Sequence, residues 1–387
     1  MLTADGEIEV QRRYFWAPGA EGVYPADAAV GVDRGAVSPG AQEILCTFGR
    51  IESFRLAAAD ARRIGNLPVA PERLRQVVEA TARQVRQARE AGRLPAVWQA
   101  ADAVVPAPGA AAAGAATRVY QGTDGVLVPT VSQAEKDKRR QQHVARRRQR
   151  QAAGLTNTKA LPPPQAGSDQ RFKEMKIGLF YNQDKTLRHA FATEGDSSAY
   201  GPLLQTYAAQ IALDQAGEVI SLVDGAKWIA AQITWALGVL RVLLLDFYHL
   251  SQHVHGAALA CLGEGPAAQA WALARLEEIK TLGVAPVLLA IDALNKKVRA
   301  RSKRQSLQSL RDYLVSRLDM LHYPQALAKG WDIGSGPTEA LCKTLTLRLK
   351  RPGMKWDRDH AADLMNLQAL YESGQAPAYW QSRRQAA

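Results

Sequence analysis

Val219-Ile220-Ser221-Leu222-Val223-Asp224-Gly225 is a short apolar run rich in strand-forming residues that stops at an Asp-Gly pair, the pattern of a buried strand entering a turn. The residues after it, through about Leu237, have the length and composition of a helix, and residues 239–245 form a second apolar run. Strand, helix and strand in succession predict an α/β core. Within residues 229–245, Gln232 and Arg241 interrupt the apolar character and Gly238 breaks it. This stretch therefore predicts a helix and a buried strand, not a membrane span, and no membrane partner is expected.

Upstream, residues 119–130 read as a strand and turn and residues 175–181 as a second strand. Between them, residues 136–150 carry eight Lys or Arg, and Pro162-Pro163-Pro164 follow. This predicts a basic loop over 133–170, either a solvated excursion or an arm that contacts phosphates. Residues 106–116 contain only Ala, Gly and Pro with no charged residue, a composition that predicts a linker over 106–117. The linker divides an N-terminal region, 1–105, from a catalytic domain, 118–387. Residues 42–64 have helical apolar spacing, and after Gly65-Asn66-Leu67-Pro68 a second helix is expected from about Pro71 to Gly92. That arrangement suits a helix-turn-helix presenting Arg73, Arg75, Gln76 and Arg83 to DNA, although the pattern alone favours an ordinary helical hairpin. Residues 249–330 lack strand signals and predict a helical insertion at about 250–330. A last helix is expected from Pro337 to Arg351, just after Gly334-Ser335-Gly336.

The 387 residues include 49 Lys and Arg against 37 Asp and Glu, a net charge of +12 that favours polyanionic partners, nucleic acid first. Cys46, Cys261 and Cys342 form no CxxC pair, which argues against a zinc ribbon and for a reducing compartment. The first residues show no basic segment followed by an apolar one, so a cytoplasmic location is expected.

Three acids carry the candidate chemistry. Asp124 follows Val119-Tyr120-Gln121-Gly122-Thr123, Asp224 follows the run quoted first, and Glu339 lies in the first turn of the helix beginning near Pro337, where the positive helix end tolerates an acid. Both aspartates are expected at strand ends. Metal-assisted phosphoryl transfer needs carboxylates from separate elements to converge, because clustered negative charge is unfavourable without cations. Each signal alone has a plain structural reading, a turn dipeptide or a helix-end charge. Asp246, His249 and His253 would share one helix face, which invites a zinc site, but a local hydrogen-bonded pair explains them as well.

The combination resembles the ISKra-type bacterial insertion-sequence transposases, distant relatives of the Mutator-like and ISLre-type groups. The resemblance runs from Arg12-Arg13-Tyr14-Phe15 and Pro25-Ala26-Asp27 through Ser53-Phe54, Thr123-Asp124-Gly125 and Lys173-Glu174-Met175-Lys176-Ile177-Gly178. It continues in Asp224-Gly225-Ala226-Lys227-Trp228-Ile229, Leu245-Asp246-Phe247-Tyr248-His249, Ile333-Gly334-Ser335-Gly336-Pro337-Thr338-Glu339 and residues 348–356. It implies an RNase H-like α/β catalytic core with a helical insertion, preceded by a mostly α-helical DNA-binding region. It also implies Asp124, Asp224 and Glu339 as catalytic metal ligands for Mg²⁺ or Mn²⁺, two ions in all, and Asp246 and His249 as an accessory Asp-x-x-His element. Expected partners are double-stranded DNA, both terminal inverted repeats and target, and further copies of the chain, which would associate with the nucleoid. Arg146, Arg147, Arg148 and Arg150, together with Lys343, Arg348, Lys350 and Arg351 beside the acids, are candidate phosphate contacts, although a solvated face has the same composition. A transposase-derived DNA-binding protein without cleavage activity and a metal-dependent DNA nuclease are the alternatives.

Overall fold

The computed structural model of the protein describes residues 1–11, 13–19, 22–25, 27, 37–105, 116–155, 160–161, 163–238 and 241–385. A small hairpin of β1 (Leu2–Thr3) and β2 (Gly6–Glu7) opens the chain. The centre is a five-stranded sheet of β3 (Arg118–Pro129), β4 (Phe172–Asn182), β5 (Arg188–Thr193), β6 (Glu218–Val223) and β7 (Val242–Leu245), ordered β5-β4-β3-β6-β7. β3, β4 and β5 pair antiparallel in series, whereas β6 runs parallel to β3 and β7 parallel to β6. The mixed α/β class follows, with the strand at 219–223 where the apolar run placed it.

Three helices precede the sheet: α1 (Pro39–Gly49), α2 (Phe54–Gly65) and α3 (Pro71–Glu90). The single helix expected over 42–64 is two. Ser53 takes an extended conformation and its hydroxyl accepts the amide of Leu56, so it starts a new helix and ends the continuity of the old. The basic stretch is corrected more strongly. Residues within the expected loop 133–170 form α4 (Gln133–Ala152), 20 residues long with none buried. Its Gln, Glu, Lys, Arg and Ala side chains are good helix formers, and no Gly or Pro interrupts them, so local propensity suffices without a packed face. The strand expected at 239–245 is observed from Val242, residues 239 and 240 lying outside the described residues. So do residues 106–115 of the expected linker; beside them Val104 and Thr117 form an isolated antiparallel bridge.

After the sheet's β5 come α5 (Ser197–Gln210) and, between β6 and β7, α6 (Lys227–Leu237). The helical insertion consists of α7 (Phe247–Leu262), α8 (Pro266–Thr281), α9 (Val284–Lys297), α10 (Arg301–Val315) and the short α11 (Tyr323–Ala328). α12 (Gly336–Thr346), α13 (Arg358–Glu372) and α14 (Ala376–Gln385) complete the chain. Alternate residues of a strand face opposite sides of the sheet, and glycine clearances identify what lies on each. A side chain at Gly178 would strike Phe191 and Tyr200 of α5, whereas one at Gly122 would meet Thr338 Oγ1 of α12 at 1.8 Å. α5 thus covers one face and α12 the other, and Gly122 is what lets α12 approach β3 so closely.

The edge strand β5 is covered by both ends of the chain. The amide of Ala190 donates to Ser373 Oγ at 2.9 Å, Asn366 Nδ2 donates to Ala192 O at 2.7 Å, and the fully buried Arg89 guanidinium of α3 donates to Ala190 O. An exposed edge would invite pairing with other chains. Here α3 and α13 satisfy it, and the N-terminal helices share one hydrophobic core with the sheet and the helices that follow it.

His189 on β5 is fully buried, with Nε2 2.9 Å from Gln210 Oε1 and its ring tilted against Tyr207. Burial, aided by the Arg89 charge, lowers its pKa to about 3. Between the ordinary value near 6.5 and about 3, the unfolded chain binds a proton that the folded chain refuses, so stability falls as pH drops. The loss amounts to at most about 1.4 kcal/mol per pH unit. His189→Gln, which keeps an amide donor, should flatten the dependence of melting temperature on pH across this window; an unchanged slope assigns the acid lability to other groups.

Candidate functional site

Asp124 lies inside β3, opposite Ile177 of β4, and not at the end of that strand as expected. The parallel pairing with β6, however, ends at Gly122 and Leu222. Asp124 therefore stands just past the carboxyl end of the parallel pairing, beside the place where β6 delivers Asp224. It faces α12, two residues beyond Gly122. Its Oδ1 accepts the amide of Gly125 at 2.7 Å, and the Cys342 thiol donates to Oδ2 at 3.3 Å. Burial raises the Asp124 pKa and the Asp224 charge pushes the same way; the Cys342 and Gly125 hydrogen bonds and His249 oppose them. A carboxylate that is partly desolvated beside another carboxylate is suited to accept a cation.

Asp224 Oδ1 accepts the amide of Ala226 at 2.8 Å. The turn after it needs glycine: Gly225 has φ +88°, and a side chain there would lie 2.5 Å from Arg317 Nε. Arg317 instead donates to Gly225 O at 2.8 and 3.1 Å, which ties the end of the insertion to the turn that carries Asp224. Glu339 occupies the first turn of α12, next to Thr338, which abuts Gly122. Asp246 caps the N-terminus of α7 and is fully buried. One ligand atom from each of Asp246, His249 and Glu339 lies within 4.8 Å of the others, a grouping that could hold a metal ion. His253 is apart from it, stacked on Tyr313 with ring centroids 3.8 Å apart.

Asp124 and Glu339 line an open cleft of about 560 Å³ with Cys342, Lys343, Lys350 and Arg351. Lys350, Arg351 and Pro352 also line a neighbouring cleft of about 930 Å³, whose far wall is α4 with Lys138 and Arg139 and whose floor includes Arg171. The two clefts join the acids to the basic helix. α4 is moored there by Lys136 to Asp357 at 2.8 Å and by Glu135 to Lys355 at 2.7 Å. Arg146, Arg148 and Arg150 are exposed along α4, and Arg147 is half-buried.

Not every predicted cation is presented. Arg348 is buried, its guanidinium 4.8 Å from both the Phe54 and Trp356 rings, and burial lowers its pKa to about 10. Its structural part is to hold α2 against the loop after α12, through cation–π contact. Arg75 is engaged by Glu72 and Glu79 at 2.6 Å each, and Arg83 sits 3.7 Å from the buried Asp363 carboxylate. Arg73 is half-buried on the same helix. Lys343, Lys350 and the loop at Arg351 remain on the cleft wall.

Sequence reasoning placed Lys138 and Arg139 only within the basic run at 136–150, and it missed Cys342 and Arg171 as members of this region. Cys342 stands one turn after Glu339 on α12, so helical spacing from the acid was the available signal. Nothing local marks Arg171.

No family model matches the chain, and no curated protein matches it. Among solved structures, the Drosophila P element transposase strand transfer complex aligns over 92% of this chain and 84% of that one, with 11% identity and a TM-score of 0.28. At that score the likeness is weak.

Proposed function

We propose that this protein is a DNA transposase whose RNase H-like core uses Asp124, Asp224 and Glu339 for metal-dependent cleavage and strand transfer of an insertion sequence. The observation that carries the reading is the placement of Asp124 and Glu339 on one cleft, with Asp224 close enough to raise the Asp124 pKa, and with cations lining the way out. A mixed sheet with Asp124 within β3 just past the end of its parallel pairing, Asp224 after the neighbouring β6, and a third acid on a helix across the sheet supports the RNase H-like assignment. The proposed donors, Asp124, Asp224 and Glu339, are carboxylates, with the His249 imidazole beside Glu339, a set that suits Mg²⁺ or Mn²⁺, and two ions are proposed. Bound there, divalent ions would supply charge neutralisation and Lewis-acid activation for in-line attack on a phosphodiester, by water first and by the freed 3′-hydroxyl second.

The chain's own residues do the rest. Lys343, Lys350 and Arg351 hold a phosphate backbone across the acids, and α4 extends the contact along the duplex through Lys138, Arg139 and Arg146 to Arg150. The N-terminal helices form the proposed end-recognition region, and copies of the chain pair on DNA. The bacterial cytoplasm, at the nucleoid, is the proposed location. No helix among the described residues is long and apolar enough to cross a membrane.

The test is to incubate the purified chain with Mg²⁺ and duplexes bearing the inverted repeats that flank its gene. Joining of a free 3′ end to target DNA is the expected result. Nicking without joining would make it a nuclease, and binding without cleavage would make it a DNA-binding protein. A second measurement checks the arm: replacing Arg146, Arg147, Arg148 and Arg150 with Gln should weaken binding to any duplex and lower the logarithmic salt slope by roughly 0.9 per lost phosphate contact. An unchanged slope would return α4 to a solvated face.

A further inference from the structure

We infer that Asp246 is a positioning residue: with Ser335 it forms a buried clasp that sets Glu339 relative to Asp224, and it does not itself ligate a metal ion. The inference rests on the metal-dependent reading above and refines which groups hold the ion.

A carboxylate offers about four acceptor sites on two oxygens. All four are occupied here. Oδ1 takes the amides of Tyr248 at 2.5 Å and His249 at 3.2 Å, which caps α7. Oδ2 takes the amide of Ser335 at 2.8 Å and the Ser335 hydroxyl as well. Proximity alone would count Asp246 with His249 and Glu339 as a ligand. The hydrogen-bond inventory outweighs proximity, because a cation on either oxygen would have to displace a buried donor and leave it unpaired. Glu339 and His249 differ: among the described residues no hydrogen bond engages their side chains, and both are half-buried beside the cleft.

The clasp reaches both neighbours. The Asp246 amide donates to Val223 O at 2.7 Å, immediately before Asp224, and the Phe247 amide donates to Ile333 O at 2.9 Å. On the other side, the Ser335 carbonyl accepts the amides of Thr338 at 2.8 Å and Glu339 at 3.1 Å. Asp224 and Glu339 are thus joined by a continuous path of short bonds, Val223 to Asp246 to Ser335 to Glu339. Removing the Ser335 hydroxyl loosens α12 without touching a carboxylate.

The experiment compares wild type with Ser335→Ala, Asp246→Asn, the double variant and Glu339→Gln, titrating Mn²⁺ by the resonance of the free ion and recording melting without metal. Ser335→Ala is mild enough to fold if Asp246→Asn is not. The clasp predicts that Ser335→Ala and Asp246→Asn each weaken Mn²⁺ binding roughly tenfold to a hundredfold, the usual cost of disturbing a group that orients a ligand. The number of ions bound should not change. The double variant should be little worse than either single one, because both remove the same contact. Glu339→Gln should lose a bound ion. If Ser335→Ala binds Mn²⁺ like wild type while Asp246→Asn loses an ion as Glu339→Gln does, Asp246 is a ligand and the inference is overturned. Wild-type affinity in both variants overturns it too. Failure of the wild type to bind Mn²⁺ at all removes the metal-dependent function itself, an outcome distinct from failure of the clasp alone.

Discussion

Asp224→Asn should reduce Mg²⁺-dependent strand cleavage roughly a thousandfold or more, which corresponds to several kcal/mol of transition-state charge stabilisation. The substitution is close to isosteric. Its amide oxygen can still accept the Ala226 amide, so the turn after β6 keeps its shape while a negative charge leaves. Duplex DNA binding should stay nearly intact, since the phosphate contacts proposed above are the cleft cations and not the acids. One accompanying sign is testable by carboxyl titration: with the Asp224 charge gone, the Asp124 pKa should move down towards the ordinary value, because that charge is one of the two influences raising it. Asp246→Asn should be milder in cleavage. If it is dead and Asp224→Asn is active, the two aspartates have exchanged roles.

Glu339→Gln should lose cleavage and metal affinity together, while its melting temperature without metal holds or rises. The carboxylate sits in the first turn of α12 beside a cleft that already contains Asp124, and relief of like-charge repulsion offsets what the helix end gains from an acid. Mg²⁺ or Mn²⁺ should raise the melting temperature of the wild type more than that of the variant, by the linkage of binding to folding. Ca²⁺ should support assembly on DNA but not cleavage, because its looser shell does not hold attacking and leaving oxygens in line. Zinc should not be required. Cleavage that proceeds in a chelator, or a fully active Glu339→Gln protein, would remove the acid-triad assignment.

How much of this the sequence discloses depends on whether the cause is local. The strands at 119–130, 175–181 and 219–223 declare themselves through apolar runs, and Asp124 within the first and Asp224 after the last land beside one sheet region. β5 does not declare itself: Arg188-His189-Ala190-Phe191-Ala192-Thr193 is short and mixed. It is a strand because β4 pairs with it and because Arg89, Asn366 and Ser373, distant in sequence, bind its edge. Arg348 misleads for a related reason. Within a run of cations it reads as one more surface charge, and only the convergence of Phe54 and Trp356 on it removes it from solvent. α4 differs for another reason: its composition favours a helix, but with no buried residue it has no apolar stripe to mark it as one.

The edge of β5, gripped by α3 from before residue 106 and by α13 from near the end, bears on what a protease could do to this molecule. A backbone cut between residues 105 and 116 would leave in place the described contacts that join the two parts, so the two polypeptides should stay together as one particle and melt in one step. Expressed separately, each half would display an apolar face complementary to the other, and mixing them should restore what neither has alone. A reader of DNA hung on a loose tether can search a range of distances from the cutting centre. Helices built into the same core cannot, and any spacing they impose between a recognised sequence and the cut would be fixed like the marks on a rule.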